Sequence, residues 1–233
     1  MEENTIFCIV GTGRCGSSLL SAILAGAGAD FGLKAKNNWD PVKAALEHSS
    51  VHAAYKYLHR IQLLKTSVLP RSLFGYGYFH RKLREELERL RDISYVKSAK
   101  LVYLIHYLGK YGFRPKLIVS YRMFDDVLMS YYRKFGVDFS TMEKRFCNTY
   151  RTAFMGLKAF GGVVIDYDEL CSSDSRSSFS AIEGLTGLDR ERLFLSKNRI
   201  LKTRKPTAGR DLMSTRRVRH VENLMAEAKN KVF

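Results

Sequence analysis

Four short apolar runs punctuate the chain: Ile6-Phe7-Cys8-Ile9-Val10, residues 93–96, Leu117-Ile118-Val119 within 116–121, and Val163-Val164-Ile165. Each is strand-sized and bounded by polar or glycine-rich residues, so each reads as a strand buried on both faces. The shorter stretch 29–33 reads as a further strand or its stub. Between these runs the spacing turns helical. Leu19, Leu20, Ile23 and Leu24 share one face, as do Leu46, Leu58 and Ile61, then Leu83, Leu87 and Leu90 within the charged segment 80–91. Arg81 with Glu85 and Glu85 with Arg89 stand four apart there. Leu101, Ile105 and Leu108 mark another helix, Val127, Leu128 and Tyr131 the next, and 141–158 a long one that Gly161-Gly162 ends. The serine-rich CSSDSRSS leads into a helix through Phe179, Ile182 and Leu185. Strands alternating with helices predict an α/β fold, a parallel sheet with helices on both faces. With no long linker and no internal repeat, 1–233 reads as a single domain with a basic helical segment from about 207 to 233.

In such a sheet ligands gather where the strand carboxyl ends meet the loops. Gly11, Lys97, Arg122 and Tyr167 each stand at such an end, so they can converge. The first turn, GTGRCGSS, sets Gly11, Gly13 and Gly16 between strand and helix, followed by Ser17 and Ser18. Its loop amides and the helix N-terminus can point at one anion, and Arg14 adds a planar fork of donors. The spacing Gly11-x-x-x-x-Gly16-Ser17-Ser18 copies the triphosphate loop G-x-x-x-x-G-K-[ST], except that Ser17 stands where Lys grips the phosphate. A P-loop-type anion cradle follows, one ill-suited to ordinary ATP or GTP hydrolysis.

Charge widens the picture without resolving it. The 233 residues carry a formal net charge of +16, and 190–233 alone holds thirteen Lys or Arg against four Asp or Glu. Such a field concentrates nucleotides, acidic glycans, lipid headgroups or nucleic acid alike. Cys8, Cys15, Cys147 and Cys171 form no C-x-x-C pair and have no His at metal-ligand spacing, so a reduced compartment and no metal are expected. The acidic start MEEN and the lack of any membrane-length apolar run give the expectation of a cytoplasmic chain without signal peptide or transmembrane segment. Residues 67–79, with Phe74, Tyr76, Tyr78 and Phe79 around two glycines, read as an aromatic loop or lid.

V-G-T-G-R-C-G-S-S-L-L resembles the 5′-phosphosulfate loop of the PAPS-dependent sulfotransferases, G-x-x-[RK]-S-G-[TS]-[TS]-x-L. A second segment carries the likeness further. Arg122-Met-Phe-Asp-Asp-Val-Leu-Met-Ser130-Tyr-Tyr is similar to that family's 3′-phosphate motif, R-x-P-x-D-x-x-x-S-[YF]-[YF], with Phe124 in place of Pro and Asp126 retained. Tyr95-Val96-Lys97-Ser98 resembles its [VF]-K-[TS] strand end, and Ile165-Asp166-Tyr167-Asp168-Glu169-Leu170 its [RF]-Y-E-D-L segment. The resemblance spans roughly 5–190.

It implies a sulfotransferase that moves a sulfuryl group from PAPS (3′-phosphoadenosine 5′-phosphosulfate) to an acceptor hydroxyl or amine, with no metal. Gly13, Arg14, Cys15, Gly16, Ser17 and Ser18 would hold the phosphosulfate, Arg122 and Ser130 the 3′-phosphate, and Tyr167 would border the nucleotide. Arg204 and Lys205 faintly resemble the family's late R-K-G clamp. Arg14, helped by Lys97, would steady the departing oxygen, and Cys15 would pack the loop. Lys97-Ser98-Ala99 lacks the family's usual K-T-H base, which leaves Glu47, His48 and Asp40 as candidates for the base. The acceptor, a small molecule, a glycan or a lipid, stays open; 34–60 and 67–79 would shape its pocket. Two other readings stand beside this one: a nucleotide kinase or hydrolase with an atypical loop, drawing on Asp125, Asp126 or Asp166 for Mg²⁺, and a non-catalytic basic protein that binds anions or nucleic acid.

Overall fold

Ile6, Cys8 and Val10 alternate with Phe7 and Ile9 along the first strand, and the alternation assigns each side chain to one of two cores. In the computed structural model, which describes residues 4–32, 46–66, 75–201 and 215–229, β1 (Asn4–Val10) lies between β2 (Tyr95–Lys97) and β3 (Phe113–Tyr121). β4 (Gly162–Asp166) pairs with the far edge of β3, giving the order β2-β1-β3-β4, every pair parallel. Register runs from Asn4 opposite Phe113 to Val10 opposite Val119, and from Leu117 opposite Gly162 to Tyr121 opposite Asp166. All four strands therefore end on one edge, where the next residues are Gly11, Ser98, Arg122 and Tyr167.

Ile9, Ile118, Val163 and Ile165 face a layer formed by α1 (Ser17–Gly26), α8 (Arg176–Thr186) and α9 (Arg190–Leu201), through Leu20, Ile23, Phe179, Ile182 and Leu193. Ile6, Cys8, Leu117, Val119 and Val164 face the other layer. There α2 (Ser49–Thr66), α3 (Tyr76–Glu88), α4 (Ile105–Lys110), α5 (Phe124–Phe135), α6 (Phe139–Phe160) and α10 (Arg216–Lys229) contribute Leu58, Leu83, Leu108, Phe124, Tyr150 and Val221. The short α7 (Tyr167–Cys171) follows β4. Strands flanked on both faces need no polar side, which is why they read as continuous apolar runs. Among the described residues no helix is long and apolar enough to cross a membrane.

Several expectations need correction. Residues 29–32 form no strand; the carbonyl of Asp30 accepts a single bond from the Tyr95 amide, 3.0 Å, and Gly32 turns the chain at φ 73°. Tyr76, Tyr78 and Phe79 belong to the first turn of α3 rather than to a loop, because Gly75 in the left-handed region starts the helix there and Phe79 packs at the edge of the core; Phe74 lies outside the described residues. On α3, Arg81 does pair with Glu85 at 3.8 Å, and Lys82 joins the same carboxylate at 2.7 Å, but Arg89 pairs with Glu86 at 3.0 Å rather than with Glu85. The helix expected through Leu101 begins as a 3-10 turn at Leu101–Tyr103 before α4.

Candidate functional site

The turn between β1 and α1 is shaped by two aromatic rings that leave no room for side chains. A Cβ on Gly16, itself at φ 93°, would collide with the Tyr167 ring, and one on Gly13 would land on the Tyr131 hydroxyl. Gly16 is also the N-cap of α1 and offers no side chain to its first amides, and no acid occupies the first turn. Those amides and the positive end of the helix dipole therefore point into the turn unneutralised. Arg14 is the one non-glycine residue at positive φ (67°) among the described residues. Its Nε donates to Ser130 Oγ at 3.0 Å, tying the loop to α5. Cys15 is fully buried, and its carbonyl accepts from Ser120 Oγ at 3.0 Å, so it packs the loop as expected of it. The Ser120 carbonyl in turn accepts from Tyr150 at 2.9 Å.

Arg122 places a buried cation on the same edge. It is 7% exposed, its guanidinium lies 4.5 Å from the centre of the Tyr167 ring, and its Nε is 3.6 Å from Asp126 Oδ2 without a hydrogen-bond partner. A buried guanidinium donor left unbonded is costly, and an entering oxyanion would relieve it. Burial, with Asp166 and Asp126 nearby, holds the Asp168 carboxyl above the usual carboxylate range. The Tyr167 ring thus borders both Gly16 and the Arg122 guanidinium.

Lys97 closes the third side. It is 4% exposed at the end of β2, and its Nζ donates to Ser18 Oγ at 3.2 Å and to Glu47 Oε1 at 3.0 Å. The Glu47 side chain is 40% exposed, so its carboxylate is anchored by a buried cation yet open to solvent. His48 goes elsewhere. Its Nδ1 accepts from the Ser50 amide at 3.2 Å at the start of α2, and its charged neighbours are Glu86 and Arg89 of α3. Burial lowers its pKa. Asp40, Arg204 and Lys205 lie outside the described residues.

The structure thus gathers Gly13, Arg14, Cys15, Gly16, Ser17, Ser18, Lys97, Glu47, Arg122, Ser130 and Tyr167 at one edge. Ser130, expected beside the second anion, accepts from Arg14 of the first turn. Three participants escaped sequence reasoning. Tyr131 was visible only as one of two aromatics after Ser130. Glu222 of α10 accepts from the Phe124 amide at 3.2 Å and so caps the helix that follows Arg122. Lys229 pairs with Glu169 at 2.7 Å and with Asp166 at 3.8 Å. Glu222 lies 98 residues from its partner, and no local pattern announces such a contact. Compared with models of protein families and with curated proteins, the sequence matches none.

Proposed function

We propose that the chain is a PAPS-dependent sulfotransferase. The observation that carries this reading is a pair of separate features suited to anions on one sheet edge, an uncapped helix N-terminus at Gly16 and a buried, incompletely bonded Arg122, with the Tyr167 ring touching both. A donor with a 5′-phosphosulfate and a distinct 3′-phosphate matches two points, whereas a triphosphate asks for one continuous track and a Lys where Ser17 stands. The carboxylates available for Mg²⁺ are largely engaged. Asp126 faces Arg122, while Asp166 accepts from the Asp168 and Glu169 amides at 2.8 and 3.2 Å and caps α7.

In the reaction this implies, the acceptor oxygen attacks sulfur, the bond from sulfur to the 5′-phosphate oxygen breaks in line, and the acceptor proton passes to Glu47. The products are the sulfate ester and 3′-phosphoadenosine 5′-phosphate. Negative charge grows on the departing oxygen, where Arg14 and Lys97 can stabilise it more than they stabilise the ground state. Only the Nε of Arg14 is committed to Ser130, which leaves the two terminal nitrogens of its fork for the ligand. Among the described residues, Glu47 is the base candidate that reaches Lys97, and its exposure lets an acceptor approach from solvent.

Calorimetric titration tests the reading directly. The chain is expected to bind 3′-phosphoadenosine 5′-phosphate without Mg²⁺, and Arg122→Ala to weaken that binding about thirtyfold to a hundredfold, the worth of a charge-assisted bond. Binding of ATP·Mg²⁺ in preference to the bisphosphate would sink it. Glu47→Gln should lower turnover about a hundredfold or more, the usual loss on removing a general base, with bisphosphate affinity retained; equal losses of both would assign Glu47 to the donor site instead.

A further inference from the structure

The segment leading into α2 and the turn after β2 are cross-linked twice. The first link is Lys97 to Glu47, cation to carboxylate. The second, three residues further along the turn, is Lys100 Nζ to His52 Nδ1 at 2.8 Å, and it carries no negative charge. Lys100 is held upright for it. The Ser98 hydroxyl accepts from the Lys100 amide at 3.2 Å, and the ammonium stands 5.4 Å from the centre of the Tyr55 ring, which packs at 5.8 Å on Tyr103. Lys56, four residues after His52, adds a third cation, and Glu47 supplies the opposing charge. Lys100 above all, then burial and Lys56, lower the His52 pKa, and Glu47 pulls the other way. An ammonium can donate to Nδ1 only while that nitrogen is unprotonated, so proton uptake by His52 would set two cations in contact. An anion seated over the pair removes that conflict and lets both groups donate to it.

We infer that the acceptor is anionic, with a carboxylate or sulfate of its own held between Lys100, His52 and Lys56 while the hydroxyl to be sulfated faces Glu47. This rests on the sulfotransferase reading, since only that reading makes Glu47 the acceptor side of the site. Tyr55 beneath Lys100 and Tyr103 packed against it, both half-buried, give the body of such an acceptor a surface to lie on.

The test is a histidine NMR titration of the full chain with three tetrasaccharides: heparin-derived (sulfated and carboxylated), hyaluronan-derived (carboxylated only) and neutral maltotetraose. A charged probe is expected to raise the His52 pKa, and Lys100→Gln to abolish that rise and weaken probe binding about threefold to tenfold, the worth of one partly exposed charge contact. Which charged probe acts identifies the anionic group. The inference is overturned if the charged probes bind the basic surface with His52 unmoved, or if maltotetraose moves it equally. A separate titration of the unaltered chain with 3′-phosphoadenosine 5′-phosphate separates the two readings. Bisphosphate binding with His52 unmoved leaves the sulfotransferase and removes the anionic acceptor. Movement of His52 without bisphosphate binding removes both and leaves an anion site alone.

Discussion

Arg14 holds a left-handed backbone that an L-residue with a long side chain avoids, at a cost of about 1–2 kcal/mol. What it gains in return is one bond to Ser130 on an exposed side of the loop, worth less than that strain. Glycine would take this conformation without that strain, while arginine leaves its two terminal nitrogens uncommitted. Arg14→Gly should accordingly leave the melting temperature unchanged or raise stability by up to about 1 kcal/mol, while sulfuryl transfer falls on the order of a hundredfold. A clear drop in stability would reassign Arg14 to holding the loop in shape. Gly16 obeys the opposite logic. Its φ of 93° and its contact with Tyr167 leave no space for a Cβ, so the ring proposed to border the ligand also fixes the residue opposite it.

Among the elements, α10 has the most to do at a distance. Val218, Val221 and Met225 bury its inner face against α6 and the sheet, and Lys229 clasps Glu169. Its Glu222 caps α5 in place of Met123, which cannot. Burial, and then Asp125, raise the Glu222 pKa even though the Phe124 amide favours the ionised form. The folded chain therefore binds this proton more readily than the unfolded one, and the associated stability is present below the ordinary carboxyl pKa and lost as pH rises through the raised one. Glu222→Gln keeps an oxygen for the amide and sheds the charge, so its thermal stability relative to the unaltered chain should improve on going from pH 4 to pH 8. Glu222→Ala also sheds the charge but leaves the Phe124 amide uncapped, so it should be about 1 kcal/mol less stable than Glu222→Gln at either pH. If the two variants melt alike at pH 8, Glu222 is a bystander and Arg122 is held by its own helix alone.

At the scale of the whole molecule, a net charge of +16 on 233 residues sets the background against which every site works. Self-repulsion of that size is screened by salt, so the melting temperature should rise between 50 and 500 mM NaCl at pH 7 while affinity for the bisphosphate falls. A lower melting temperature in high salt would mean that attractive pairs such as Lys229 with Glu169 outweigh the repulsion. The sequence by itself determined the class of fold, the four strands, and the three turns that bear Arg14, Arg122 and Tyr167, because runs buried on both faces and glycine-rich turns are written in neighbouring residues. It could not settle residues 29–32, where a short segment finds one backbone bond to Tyr95 and no ladder, nor the aromatic start of α3, where the helix-starting conformation of Gly75 and the packing of Phe79 decided. It offered Glu47 and His48 as equals. Tertiary structure separated them by giving one to Lys97 and the other to the Ser50 amide. It also paired Arg14 with Ser130, Lys100 with His52 and Glu222 with Phe124, contacts between residues 116, 48 and 98 positions apart. A parallel sheet puts its strand ends on one edge whatever the lengths of the crossovers. Which side chains meet there depends on register and helix placement, and only the folded chain fixes those.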